Sequence, residues 1–278
     1  MSQKPITQRF DEDGFVFPLD AIDPSEAAEL REDLESAERE LIDDFERLGL
    51  LRTYPDRLLP SFDALIREER LVAAATTILG PDLIAWSSAL FTKEPNSPKI
   101  VSWHQDLTYW GLDDTKEVTC WVALTPSTDR SGAMRFVPGS HKQTIVPHID
   151  TWDENNLLSR GQEVAVDVDE SKAVVVELQP GQFSMHHGHL FHASGPNTTD
   201  DRRIGAAIRY MAASMKQLDG YRPLVAHVAG QGEWDHLQIA PSPAGRLHES
   251  DFERCRQDAS AKRKIFYQGT ERANNAPE

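Results

Sequence analysis

The first third of the chain carries apolar residues at the spacing of amphipathic helices. Asp23-Pro-Ser-Glu26 combines a capping Asp with Pro at the first helical position and Glu three residues after the cap. Gly49 is a typical helix stop, and the apolar positions before it recur every three or four residues: Ala27, Leu30, Leu34, Ala37, Leu41, Phe45 and Leu48. A second helix is predicted from about residue 61 to residue 79, where Gly80 and Pro81 end it. We therefore expect residues 10–80 to form a helical scaffold.

From about residue 83 the pattern changes to short β-rich segments separated by Gly and Pro. These segments are residues 83–93, 118–124, 133–140, 172–187 and 203–213. Strands at this spacing predict a β-sandwich or squashed barrel over about residues 83–215, flanked by the earlier helices. Ser250-Asp-Phe-Glu253 is a second capping box and predicts a helix over about residues 250–268, with a frayed tail after Gly269.

Composition and charge narrow the class of protein. At 278 residues the chain is long enough for a single domain with a full core, and we expect one domain over residues 1–278. Its formal net charge of −16 argues against nucleic acid or an anionic membrane as the main partner. Cys120 and Cys255 form no disulfide framework, and neither a membrane span nor a signal peptide is evident. We expect a soluble cytoplasmic protein.

The stretch VSWHQDLTYWGL, residues 101–112, places His104 and Asp106 two positions apart among apolar residues. On an alternating strand, residues two apart point to the same face of a sheet. The two side chains are therefore expected to lie together, as a hydrogen-bonded pair or as two of the three ligands of a metal. This stretch by itself favours neither interpretation.

A third ligand is available in HHGHLFH, residues 186–192. Two histidines and one carboxylate on one face of an octahedron leave three positions open, the arrangement of non-haem iron oxygenases. His192 is the preferred candidate, with His187 or His189 as the alternative. His186, like the other two, is otherwise expected to line a pocket or to be exposed.

The residues after His192 favour a chelating keto acid as a further ligand of the metal. The second carboxylate of such an acid must be neutralised inside the protein, and arginine is a planar, bidentate partner for it. Arg203 begins the segment RIGAAIR, in which Gly205 and Ala207 share its face and are expected to leave room for the ligand. Alternation decides whether Arg203 or Arg202 faces inward. Ser194 offers a hydroxyl to the same carboxylate.

These motifs together resemble the phytanoyl-CoA dioxygenase family. They are His104-Gln-Asp106, GAMRFVPGSH at residues 132–141, and HASGPN from His192 with Arg203 after it. The resemblance extends from about residue 10 to residue 269. It implies a double-stranded β-helix (jelly-roll or cupin-like) core and an oxygenase that uses Fe(II), 2-oxoglutarate and O₂. Halogenating relatives have a small residue at the position of Asp106, so its presence implies hydroxylation or a related oxidation.

The resemblance also implies roles for individual residues. The expected iron ligands are His104, Asp106 and His192. The residues expected around 2-oxoglutarate are Arg203, Ser194, Trp121 and Lys93. The residues expected to line the substrate pocket are Trp110, Gln105 and Tyr109, of which the first matches an aromatic near the iron in ectoine hydroxylases.

Residues 142–172 resemble the variable lid of the family and contain seven acidic and three basic residues, a net charge of −4. A coenzyme A thioester carries several phosphate charges and would require a basic entrance. We therefore expect a small polar metabolite, amino-acid-like or phosphonate-like, or a natural-product intermediate as substrate.

Two other functions compete with the oxygenase. One is a cupin-like metal enzyme that does not use 2-oxoglutarate, although cupins favour a His-x-His pair with a glutamate. The other is an inactive barrel that only binds a ligand, although no ligand residue is missing here.

Overall fold

The computed structural model describes residues 4–158, 161–218 and 220–266, and the helices within them surround a β-sandwich. The α-helices are Ile6–Asp13 (α1), Pro24–Glu40 (α2), Phe45–Thr53 (α3), Pro55–Leu58 (α4), Pro60–Leu65 (α5), Glu69–Leu79 (α6) and Glu249–Phe266 (α7). In this part of the chain, no helix combines the length and the hydrophobicity needed to cross a bilayer.

The start of α2 is confirmed, but its predicted end is wrong. Asp23 and Glu26 form the reciprocal capping box, and the helix then ends at Glu40 instead of continuing to residue 48. Asp44 interrupts the pattern because its side chain accepts a hydrogen bond from the Arg47 amide and caps α3. Gly49 lies within α3 and does not end a helix.

The second predicted helix is two helices, α5 and α6. The Glu68 side chain accepts from the Arg70 amide and starts α6, which ends before Gly80 as expected. A side-chain cap inside a continuous apolar pattern therefore breaks both predicted helices. Helix α7 begins one residue before the second capping box, and the predicted tail after Gly269 lies outside the described residues.

Thirteen strands lie in the described residues. They are Phe15–Asp20 (β1), Leu83–Lys93 (β2), Val101–His104 (β3), Glu117–Ala123 (β4), Met134–Phe136 (β5), His148–Asp150 (β6), Gln162–Val164 (β7), Val174–Val176 (β8), Gln182–His187 (β9), His192–Ser194 (β10), Arg203–Ala212 (β11), Leu224–Ala229 (β12) and Gln238–Ile239 (β13).

The strands form a jelly roll of two main sheets, which confirms the predicted fold class. The larger sheet has the order β1-β9-β4-β11-β2-β12-β13, and the smaller has the order β3-β10-β5-β8. A separate hairpin, β6-β7, lies in the predicted lid. The organisation of the whole chain as one domain stays a prediction.

Strand β11 shows how the large sheet divides the molecule. Ile204, Ile208 and Tyr210 point to one face and pack into a core that includes helix residues. Arg203 and Ala207, at alternate positions, border a cavity between the two sheets instead. The helical scaffold therefore covers one face of the large sheet, and the candidate site lies against the other.

Candidate metal centre

His104 and Asp106 lie together, although not on one continuous strand as predicted. Strand β3 ends at His104, and Asp106 begins a 3₁₀ turn over Asp106–Tyr109. Thr108 Oγ1 donates to the Gln105 carbonyl at 2.9 Å and stabilises the turn. The His104 Nε2 to Asp106 Oδ1 distance is 3.5 Å, so the turn brings the two side chains together where the strand stops.

His192 joins this pair through strand pairing. It begins β10, where it is the Cα partner of His104 on antiparallel β3. The two imidazole centroids are 4.0 Å apart, and His192 Nε2 lies 3.9 Å from Asp106 Oδ2. One potential ligand atom from each of the three residues lies within 4.8 Å of the others, and no other group of this kind occurs among the residues described.

Backbone carbonyls fix the tautomers of both histidines. His104 Nδ1 lies 2.9 Å from the Ser102 carbonyl oxygen, and His192 Nδ1 lies 2.9 Å from that of Leu190. A carbonyl only accepts, so each Nδ1 carries a hydrogen, and each Nε2, the atom that is then available to a metal, faces Asp106. Two imidazole nitrogens and one carboxylate, held in this way, fit a divalent first-row metal such as Fe(II).

The charge states of the cluster suit metal binding as well. Burial by itself raises the pKa of Asp106, but the imidazoles of His104 and His186 that face it, together with His192 and the charge of Arg209, hold it well below its usual value. Burial, followed by the neighbouring His104, lowers the pKa of His192 far below its usual value. The carboxylate is therefore ionised and His192 neutral, the forms in which both coordinate metals.

His186 borders the same cavity, which agrees with one of the two roles expected for it. Its Nε2 lies 3.7 Å from Asp106 Oδ2, and its ring stacks at 5.0 Å on Phe136. His187 and His189 instead contact each other outside the cluster, and burial lowers the pKa of His187 to about 4. The geometry thus favours His192 over these two as the third ligand.

Arg203 lies in the cavity as a buried cation without a carboxylate partner among the described residues. It is 2% exposed, its Nε makes no hydrogen bond, and its Cζ lies 5.1 Å from the Trp121 ring. Burial lowers the pKa of Arg203 to about 10. A buried guanidinium with free donors is a binding site for an anion.

Lys93 and Ser194 border the guanidinium of Arg203. Lys93 is the Cα partner of Arg203 across the β2-β11 pair and is fully buried. Its Nζ donates to Ser194 Oγ at 2.7 Å and also to the Gly195 carbonyl. Burial, with the charge of Arg203 as a second cause, lowers the pKa of Lys93 to about 6.

The expected alternation of the two arginines is correct. Arg202 points away from the cavity and pairs with Glu38 at 2.8 Å and Glu94 at 3.0 Å. The room expected at Gly205 is not available to a ligand, because the Trp121 indole fills it. A Cβ atom at position 205 would collide with this ring. Gly205 therefore admits Trp121 beside Arg203.

A second, larger cavity of about 470 Å³ opens on the other side of the cluster. His104 and Asp106 border both cavities. Trp110 lines the outer one as expected and packs on Trp86 at 4.9 Å. A volume of this size suits a small-molecule ligand.

Gln105, predicted to line the substrate pocket, lies elsewhere. Its amide nitrogen donates to the carbonyls of His189 and Thr144, and its Oε1 accepts from the Val146 amide. These hydrogen bonds occupy the polar atoms of the Gln105 side chain and attach the start of the lid to the sheet. Gln105 borders neither cavity. The side chain of Tyr109 lies outside the described part of the structure.

Sequence reasoning missed three polar residues around the cluster. Thr119 Oγ1 lies within hydrogen-bond distance of both Asp106 Oδ2, at 3.3 Å, and Glu117 Oε1, at 2.8 Å. Burial, followed by the charge of Asp106, raises the pKa of Glu117 well above its usual value. Arg209 borders both cavities and lies six residues after Arg203, so strand alternation could have placed it on the same face.

Comparison with known proteins identifies the family. The model of the phytanoyl-CoA dioxygenase family matches residues 10–205. The chain belongs to this family. The match contains all three residues of the metal cluster and the buried Arg203.

Two curated members of this phytanoyl-CoA dioxygenase group show what the chain is similar to. A probable alpha-ketoglutarate-dependent hypophosphite dioxygenase of Stutzerimonas stutzeri is 29% identical over 189 residues, 67% of this chain and 63% of that protein. Human peroxisomal phytanoyl-CoA dioxygenase is 29% identical over 147 residues, 50% of this chain and 43% of that protein. The chain thus matches less than two thirds of the length of either relative.

Solved structures extend the likeness over nearly the whole chain. The apo structure of the non-haem monooxygenase ThoJ superposes with a TM-score of 0.84 at 31% identity, covering 95% of this chain and 98% of ThoJ. The nickel complex of ThoJ superposes with a TM-score of 0.80 at 28% identity. This similarity supports the jelly-roll architecture independently of the family model.

Proposed function

We propose that this chain is an Fe(II)- and 2-oxoglutarate-dependent dioxygenase that hydroxylates a C–H bond of a small polar metabolite or natural-product intermediate. One observation carries the proposal. A cluster of two imidazole Nε2 atoms and one carboxylate shares a buried cavity with a guanidinium that has no carboxylate partner in the described residues. The similarity to an alpha-ketoglutarate-dependent relative supports the same chemistry.

His104, Asp106 and His192 would hold the metal, each through the atom that its hydrogen bonds leave free. Bound Fe(II) would supply O₂ activation, in which 2-oxoglutarate, O₂ and a C–H bond become succinate, CO₂ and a hydroxylated product. Thr119 orients the carboxylate of Asp106, and the carbonyls behind both imidazoles hold the rings in place.

Arg203 and Ser194 would bind the distal carboxylate of 2-oxoglutarate. Lys93 donates to Ser194 Oγ, so the hydroxyl hydrogen of Ser194 is free to donate to an incoming anion. Trp121 packs along Arg203 and excludes water from the guanidinium. In a cavity without bulk water, these charge-assisted contacts fix both the position and the orientation of the keto acid.

The substrate would bind in the outer cavity. Leu157, Leu158 and Gln162 of the lid form part of its wall, and His104 and Asp106 form its inner end. A molecule in this cavity therefore places a carbon beside the metal without entering the space around Arg203.

The two competing functions explain fewer of these features. A cupin-like enzyme that does not use 2-oxoglutarate has no use for a buried guanidinium that lacks a carboxylate partner. An inactive binding barrel has no use for two histidines whose Nε2 lone pairs converge on one carboxylate.

The test compares His192→Ala with His189→Ala. We expect His192→Ala to lose bound Fe(II) and succinate formation while keeping its circular dichroism spectrum, because one of three ligands is gone. His189→Ala should keep both, since its ring lies outside the cluster. Succinate and CO₂ should form in equal amounts from 2-oxoglutarate in the unaltered protein. Full iron occupancy in His192→Ala, or no metal-dependent use of 2-oxoglutarate by the unaltered protein, would contradict the proposal.

A further inference from the structure

Arg209 is a second cation aimed at the metal cluster from the large sheet. It lies on the same face of β11 as Ala207 and Arg203 and borders both cavities together with His104 and Asp106. Arg209 pairs with Ser87 of β2 and the next residue, Tyr210, pairs with Ala85, so a β-bulge adjoins Arg209. Bulges redirect side chains and are frequent beside active sites.

The guanidinium of Arg209 has weak partners. Its Nη1 donates to Ser87 Oγ at 3.4 Å, and its Cζ lies 5.1 Å from the Trp110 ring. Its Nε is buried and makes no hydrogen bond, and within the described ranges it forms no ion pair with a carboxylate. These contacts leave most of its hydrogen-bonding capacity directed into the cavities.

The carboxyl groups of Asp106 and Glu117 lie near Arg209 but do not neutralise its positive charge. Asp106 is a proposed metal ligand, so its negative charge would be neutralised by the metal. Glu117 is buried with its Oε1 2.8 Å from Thr119 Oγ1, and no hydrogen bond or ion pair joins it to Arg209 among the described residues. An anion that enters the outer cavity is the remaining partner for Arg209.

The rest of the outer cavity suits an organic molecule. Trp86, Trp110 and Leu157 form apolar walls, and Lys262 at the far side already pairs with Asp258 at 2.8 Å. Arg209 therefore lies at the end of the outer cavity that borders the metal ligands, and the apolar surface of the cavity extends away from it. A ligand would place its acidic group inward and its carbon skeleton outward.

Building on the proposed dioxygenase function, we propose that Arg209 binds an acidic group of the primary substrate. The substrate is then a small organic acid, a carboxylate or phosphonate, that is oxidised at a carbon close to that group. The closeness follows because Arg209 and Asp106 border the same space in both cavities. The acidic lid opposes a substrate with one negative charge less than a substrate with several.

Matched acids and amides test the proposal on binding alone. Equilibrium dialysis of the full chain loaded with Ni(II) in place of iron and with saturating 2-oxoglutarate, which occupies Arg203, measures the preference for charge with phenylacetate, benzylphosphonate and phenylacetamide as probes. We expect the unaltered protein to bind the acids about ten- to a hundredfold more tightly than the amide, from charge-assisted hydrogen bonds. Arg209→Gln should lose this preference, whereas Arg209→Lys should keep part of it.

Controls separate this proposal from folding and from the cosubstrate. Arg39→Gln removes an exposed arginine that pairs with Glu32 and should keep the full acid preference. The KM for 2-oxoglutarate, measured from succinate formed without substrate, should rise far less in Arg209→Gln than in Arg203→Ala. The succinate assay also tests the dioxygenase function separately, because the binding of the acids is measured without turnover.

Three results would overturn the role of Arg209. The first is equal binding of acids and amide by the unaltered protein, which requires no variant to fold. The second is an unchanged acid preference in Arg209→Gln. The third is a large rise in the KM for 2-oxoglutarate in Arg209→Gln with the acid preference intact, which would assign Arg209 to the cosubstrate.

Discussion

Hydrogen-bond partners set the chemistry of single side chains in this site. The carbonyls of Ser102 and Leu190 occupy Nδ1 of the two histidines and leave both Nε2 atoms free. In contrast, Arg202 and Arg203 are neighbours in sequence, yet the first has three carboxylate partners and the second has none among the described residues. In both cases, the nitrogen or the arginine that these protein partners leave unoccupied is the one available to a ligand.

Replacing Arg203 by Ala should raise the KM for 2-oxoglutarate by tens- to thousands-fold while bound iron is retained. Losing a buried, charge-assisted bidentate contact costs on the order of 2–5 kcal/mol. Steady-state kinetics with varied 2-oxoglutarate and a measurement of bound iron check this. Arg202→Ala is the matched control, because it loses ion pairs on the opposite face of β11 and should leave the KM unchanged. The reverse pattern in the two variants would show that the wrong arginine has been assigned.

Lys93 should make the stability of the ligand-free protein depend on pH. Its folded pKa is about 6 and its ordinary value is 10.5, so the unfolded chain binds one more proton between these values. The free energy of unfolding therefore rises as pH increases from about 6 towards 10.5. Thermal melts from pH 6 to pH 9 should show this rise, and Lys93→Met should show a smaller one. Parallel curves for the two proteins would mean that Lys93 stays charged.

At the scale of elements, the tight approach of two strands builds the cosubstrate cavity. Gly205 on β11 pairs with Ala123 of β4, and the indole of Trp121 on β4 fills the space that a side chain at Gly205 would need. Trp121 can then lie along Arg203. The absence of a Cβ atom at Gly205 thus allows Trp121 to form a wall of the cavity.

Gly205→Ala should destabilise the protein by about 1–3 kcal/mol and weaken 2-oxoglutarate binding, because Trp121 must move. Gly49→Ala is the matched control: it lies inside α3 with no atom within 4 Å of an added Cβ. That variant should be stabilised by roughly 0.5–1 kcal/mol. Urea unfolding and the KM for 2-oxoglutarate provide the two measurements. Unchanged values in Gly205→Ala would show that Trp121 relaxes freely.

The lid, residues 142–172, is attached to the small sheet through β3. Asn156 Nδ2 donates to Ser102 Oγ at 2.7 Å, and Ser102 Oγ donates to the Gln162 carbonyl at 2.7 Å. Ile100 and Asn156 form an isolated parallel bridge. These polar contacts, together with those of Gln105, attach the segment that walls the outer cavity to the sheet.

We predict that a glutamate-specific protease cuts the lid first in the ligand-free protein and more slowly once substrate is bound. Asn156→Ala should be cut faster, because it loses the bond to Ser102. Asn155→Ala is the matched control, since that exposed side chain makes no hydrogen bond to any residue that the structure describes. Mass spectrometry of the fragments locates the cuts. Equal rates for both variants and the unaltered protein would show that Asn156 does not restrain the lid.

At the scale of the whole molecule, charge disfavours highly anionic substrates. The chain carries a net charge of −16 and its lid a net charge of −4. Such a field slows the approach of a molecule with several negative charges far more than that of one with a single charge. A single-charge organic acid for Arg209 is compatible with this field.

Coenzyme A thioesters should therefore be poor substrates, although the family takes its name from one. We expect no saturable hydroxylation of an acyl-CoA at micromolar concentration, with mass spectrometry of the product as the measurement. Any residual turnover should increase with ionic strength, because salt screens the repulsion. Efficient, saturable hydroxylation at low salt would contradict this prediction.

The sequence by itself determined the fold class, and it predicted His104, Asp106 and His192 as metal ligands through the motifs that resemble the family. Local patterns carry part of this information, because alternation along β11 places Arg203 on the inner face. The same local patterns failed where a side-chain cap at Asp44 or Glu68 broke an apolar repeat. Only the tertiary structure showed that Gln105 holds the lid, that Gly205 makes room for Trp121, and that Arg209 lacks a carboxylate partner among the described residues. These features depend on contacts between residues far apart in the chain, which no local pattern records.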